Sequence, residues 1–151
     1  MAAEKIPPIT NKTQLFINWI LITLRESAWA PLIVSIYYWF VTEIGLIRKF
    51  SHLDNINHVL AGIAITYTLR SAIENSQEPI GKIPKPVQIL LAFTTAGTLM
   101  IFWEFFQNIV DLVFNATQAR RLRDTLGDLF YGLLGAFLFS LFFRVRSTNK
   151  N

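Results

Sequence analysis

A chain of 151 residues has room for one domain. Only 16% of this one is charged and 52% is apolar, against about 25% charge in an ordinary soluble domain. The net charge of +4 comes from short basic clusters between apolar runs, which sets membrane topology and excludes nucleic-acid binding, and the absence of cysteine excludes disulfides, thiolate nucleophiles and thiolate-held metals.

The first apolar run, 15–24, is too short to cross a ~30 Å hydrocarbon core, which needs about 17–25 helical residues. Phe16, Trp19, Ile20 and Leu24 fall at helical spacing within it. It therefore reads as a short N-terminal interfacial helix lying on the membrane, the alternative being an extension of the first span. Ala28-Trp29-Ala30 has the form of a signal-cleavage motif, but Arg25 and Glu26 separate it from the apolar run and Pro31 would follow the cut. No cleavage is expected.

Four spans follow, at about 28–47, 56–73, 87–108 and 125–143, each helical because lipid offers backbone groups no partner. Pro31 falls in the first turn of span one, where a missing N–H costs nothing. Span two is the least apolar and is interrupted by Arg70. Residues 74–86 carry two charges of each sign and three prolines, the composition of a polar loop. Small residues recur every four positions at Ala64, Thr68 and Ala72 on span two and at Gly132, Ala136 and Ser140 on span four, letting helices approach closely. The expected fold is all-α: a single-domain polytopic transmembrane helical bundle.

Crossing by crossing, Lys5, Lys12, Arg25, Arg70, Lys82, Lys85, Arg144, Arg146 and Lys150 fall on the N-terminal side, nine of the 14 basic residues. Arg48, Lys49, Arg120, Arg121 and Arg123 fall opposite. That excess predicts a multi-pass protein of the cell membrane with both termini in the cytoplasm.

Under this topology the ionisable residues gather. Asp54 and His58 open span two, Glu104 and Gln107 lie near the end of span three, and Asp124 and Asp128 open span four. Spans two and four start where span three finishes, so these helix ends share one leaflet. Asp54, His58 and Gly62 recur every four residues, as do Asp124 and Asp128, placing each set on one helical stripe. A charge at the bilayer centre costs ~2.5–3.5 kcal/mol on insertion scales, so the stripes are expected to face one another.

Three chemistries suit such a cluster. Asp54, His58, Glu104 and Asp128 are ligands for a divalent metal, their carboxylates favouring Mg²⁺, Ca²⁺ or Mn²⁺. With Arg123 and its neighbours Arg120 and Arg121, the same residues would grip a phosphorylated lipid headgroup, Asp54, Gln107, Asp124 and Arg123 binding it and His58, Glu104 and Asp128 serving any reaction. Crowded carboxylates also share protons, with His58 as the carrier. Against these stands a plain structural role. Asp54 and Asp124 sit where a helix N-terminus welcomes negative charge, and His58 suits a buried hydrogen bond. His52 and Asp111 read as solvated.

Read in order, Asp54-x3-His58, Trp103-Glu104-Phe105-Phe106-Gln107 and Asp124-Thr125-Leu126-Gly127-Asp128 followed by Gly135-Ala136 resemble the VanZ-like family and the related YjdF-like membrane proteins. The resemblance covers residues 54–136. VanZ-like proteins carry asparagine where this chain has Gly132, and YjdF-like proteins often carry glutamate where it has Gln107. What the resemblance implies is a site at these residues; VanZ-like proteins are associated with teicoplanin resistance.

Three functions follow as expectations. The first is binding or processing of a lipid-linked, phosphorylated envelope molecule aided by a divalent metal. The second is a non-catalytic assembly or accessory protein, with the bilayer and a second copy or another membrane protein as partners. The third is a proton-coupled carrier subunit.

Overall fold

The computed structural model describes residues 11–50, 52–114 and 122–142; among them every regular element is an α-helix. Asn11 opens α1 (Lys12–Ser27), its side chain accepting the Thr13 N–H at 3.0 Å. The chain then bends by 52° into α2 (Trp29–Glu43). Pro31 explains where: it has no N–H to offer the Ser27 carbonyl four residues back. The 15–24 run thus belongs to a full helix that continues, bent, into span one. Span one itself stops at Glu43, short of 47, because Gly45 turns the chain with φ 73°, a conformation open to glycine. A single turn, α3 (Leu46–Lys49), follows.

Helix α4 (His52–Ile80) has 29 residues, about 43 Å at 1.5 Å per residue. It overturns the expected loop at 74–86, since only residues 81–84 are non-helical. Composition misleads there because the polar side chains have helical partners. Glu26 of α1 accepts from Ser71 Oγ at 3.1 Å and Asn75 Nδ2 at 2.9 Å, and Arg70 pairs with Glu74 at 3.8 Å. Gly81, with φ 97°, ends the helix by bonding back to Gln77. Helix α5 (Lys85–Val113) starts after Pro84 and runs a turn past residue 108, and α6 (Leu122–Phe142) follows.

Helix α4 sits at the centre, touching every other helix and packing most extensively on α6. That contact is backbone on backbone. A Cβ on Gly62 would overlap the Gly132 carbonyl, and one on Gly135 the Val59 carbonyl. The row Gly132, Ala136 and Ser140 is buried; its backbone meets Gly62 of α4, while a Cβ on Gly132 would meet Met100 of α5. On α4, however, the matching residues are Val59 and Gly62, not Ala64, Thr68 and Ala72. Ala72 turns instead to α1, its carbonyl accepting from Trp19 Nε1 at 2.8 Å. Ala96, Met100 and Ala136 form the core between α5 and α6, with Ile65 and Leu69 of α4 packed on it.

Helices α5 (over Lys85–Val110) and α6 (over Arg123–Phe142) are long and apolar enough to cross a membrane, and the bent α1–α2 pair qualifies if taken as one span. Helix α4 does not qualify among the described residues. It has little need to, being wrapped by protein while Phe102, Phe105, Phe130, Phe137 and Phe142 turn outward from α5 and α6.

Candidate functional site

Two turns into α4, His58 aims Nε2 across the glycine contact at α6. Asp128 Oδ1 lies 3.1 Å from it, and Asp54 Oδ1, one turn back on α4, lies 3.8 Å from the same nitrogen. Asp128 is 5% exposed, whereas the Asp54 side chain is 30% exposed. One ligand atom from each residue falls within 4.8 Å of the others, close enough to share an ion. The backbone approach at Gly62 and Gly135 sets this distance. Without it α6 could not bring a side chain as short as aspartate to His58.

Next to the triad lies a cavity of about 260 Å³ walled by α2, α4, α5 and α6. His58 and Asp128 open into it, and α5 contributes Glu104 and Gln107. Glu104 is 5% exposed but lies outside the triad, so it does not complete the four-ligand metal set drawn from the sequence. Pro31, Val34, Ile65, Met100 and Leu129 make the remaining wall largely apolar, with Tyr38 and Trp103 adding rings.

The structure therefore brings together His58, Glu104, Gln107 and Asp128 around one space, with Asp54 behind His58. It leaves others outside. Asp124 sits exposed in the first turn of α6, beside an exposed Arg123, and neither lines the cavity. Arg120 and Arg121 lie outside the described residues, as does the Asp111 side chain. His52 is exposed and stacks near Phe50. Three polar wall residues escaped sequence reasoning: Ser35 and Tyr38, on a helix with no acidic motif, and Asn57. The signal for Asn57 is its spacing with Ala61 and Ala64, a helical stripe adjoining that of Asp54 and His58.

A carboxylate pair sharing one imidazole nitrogen can hold a proton between nitrogen and oxygen, or a divalent cation once the nitrogen is free of its proton. Among the described residues no lysine or arginine lines the cavity, so an anion would meet no fixed positive charge there. A family model described as a predicted membrane protein (DUF2238) matches residues 9–149. No curated protein and no solved structure matches the chain.

Proposed function

Because the chain belongs to the DUF2238 family of predicted membrane proteins, we propose that it is a multi-pass protein of the cell membrane that binds a divalent cation through Asp54, His58 and Asp128. Through that cation it holds the phosphate of a lipid-linked envelope molecule seated in the cavity. The observation that carries this reading is the convergence of two carboxylates on one imidazole nitrogen, at 3.1 and 3.8 Å. Carboxylates alone repel phosphate; a divalent cation between them reverses the local field. The topology that goes with it is one domain over residues 1–151 and four crossings, α4 being the second, with both termini in the cytoplasm. Kinship with VanZ-like and YjdF-like proteins rests on the same Asp54-x3-His58 and Asp124–Asp128 motifs.

The test is Mn²⁺ binding by the purified full chain, followed by the paramagnetic signal of the free ion. The parent should bind one equivalent. His58→Gln and Asp128→Asn should each weaken binding at least about tenfold, as loss of even outer-shell partners does at metal sites, with melting temperature little changed. Asp124→Asn should bind like the parent. If His58→Gln and Asp128→Asn both bind Mn²⁺ as well as the parent does, the reading is dead.

The 3.1 Å contact also favours a second reading, an accessory or assembly protein in which His58 and Asp128 only lock α4 to α6. That reading expects no ion binding by the parent and a large loss of stability in both variants.

A further inference from the structure

The cavity is polarised in one sense along its length. Helix α2 ends and α4 begins at the α3 turn, and the contact of His58 with Asp128 puts the start of α6 at that end too. Helix α5 returns from the 81–84 connection antiparallel to α4 and finishes there. The polar lining gathers toward this end: Tyr38 of α2, Asn57 and His58 of α4, Gln107 of α5 and Asp128 of α6. It offers donors and acceptors together. Two helical turns away on α2, α4 and α5 stand Pro31, Ile65 and Met100, all apolar. A molecule matching this profile has a polar head at the α3 end and hydrocarbon behind it.

The volume limits how much of such a molecule fits. A cavity of 150 Å³ holds a benzene ring, and pockets for whole drug-sized ligands run about 300–1,000 Å³. At about 260 Å³ this one takes a head and a few carbons, so the rest of a membrane lipid has to lie outside. One side of the wall is open for it. Among the described residues no Cα of α2 comes within 8 Å of one on α5 or α6, although side chains of α2 and α5 line the same space. Helix α2 is tied to the bundle through α4 and through its chain neighbours α1 and α3. Ser35 and Trp103 line the cavity yet are exposed, which puts them on the rim, one on each side of the gap. Around them Leu32 and Ile36 of α2 and Leu99 and Phe106 of α5 turn apolar side chains outward, the surface that a bilayer covers.

We propose that the gap between α2 and α5 is a lateral portal for one hydrocarbon chain of a membrane amphiphile. The head reaches the polar end from within the bilayer, the first carbons lie against Val34, Ile65 and Met100, and the remaining chain leaves past Ser35 and Trp103 into the lipid. The inference rests on the cavity being a ligand site, as proposed above, but not on the cation.

The experiment uses the full chain in phosphatidylcholine vesicles and two probes with a photoreactive diazirine at the fourth carbon, dodecanol in the presence of a chelator and dodecyl phosphate in the presence of Mn²⁺. Adducts are mapped by mass spectrometry. They should fall on Val34, Ile65 or Met100 and vanish under excess unlabelled probe, whereas adducts on the lipid-facing Phe137 should persist. Because the chain has no cysteine, Ser35→Cys with Trp103→Cys can be bridged across the gap by a short bifunctional thiol reagent. Bridging before the probe is added should cut cavity adducts at least about tenfold, equivalent to about 1.4 kcal/mol of apparent affinity, and reductive release should restore them. Val34→Trp, which fills the apolar end without any cysteine, should lose the same adducts and keep the parent's melting temperature and Mn²⁺ binding. Bridge-sensitive adducts from the phosphate alone tie the portal to a cation-held head. The same adducts from the alcohol, in a chain that binds no Mn²⁺, uphold the portal while the cation reading fails. Cavity adducts that persist behind the bridge and in Val34→Trp, or no protectable cavity adduct from either probe, overturn the proposal.

Discussion

At the scale of single residues, neighbours on one helix play opposite parts. His58 has carboxylates at 3.1 and 3.8 Å, while Asn57, turned about 100° away on the same helix, has an acceptor with no donor among the described residues. Leaving a buried acceptor unsatisfied costs about 1–3 kcal/mol. Asn57→Leu should therefore raise the melting temperature in ligand-free detergent, by about that free energy, and calorimetry would show it. The two aspartates should also differ. Asp128 is nearer to His58 and more deeply buried than Asp54, so Asp54→Asn should weaken Mn²⁺ binding less than Asp128→Asn in parallel titrations. The Asp–His spacing was legible in the sequence because four residues make one helical stripe. Asn57 was not, because an orphan acceptor is a property of what surrounds it.

Elements meet here through their backbones more than their side chains. Gly62 and Gly135 admit no Cβ, and overpacking of this kind typically costs about 1–3 kcal/mol. Gly135→Ala should lower stability by about that much and, by pushing α6 off α4, weaken Mn²⁺ binding without touching a ligand; a double electron–electron resonance distance between the two helices would lengthen. Trp19→Phe, which loses the bond to the Ala72 carbonyl, should cost about 1 kcal/mol in thermal unfolding and leave ion binding alone. The small-residue row on α6 could be read from spacing, because all its members lie buried on one stripe of that helix. The row on α4 could not, since that helix is surrounded and presents different stripes to α1 and α6. The 74–86 stretch was misread for a related reason: Ser71 and Asn75 answer to Glu26 across an interface, and no window of composition contains both sides.

For the whole molecule, the proposed four-crossing topology puts the 81–84 turn and the α3 turn on opposite faces of the membrane. The chain has no cysteine, so single cysteines at Lys82 and Lys49 can be labelled cleanly with an impermeant maleimide in sealed vesicles. They should react from opposite sides; labelling of both from one side would remove the four-crossing topology. The central position of α4 has a consequence for how the protein is made. Carrying Arg70, Glu74, Asp54 and His58, this helix would leave a translocon poorly by itself, since a charge at mid-membrane costs ~2.5–3.5 kcal/mol during insertion. Part of its shelter is α1 and α2, made before it, but its most extensive packing is on α6, which is synthesised after it. Co-translational integration must therefore hold α4 back until its downstream neighbours emerge, and a nascent chain halted just beyond α4 should be found unintegrated.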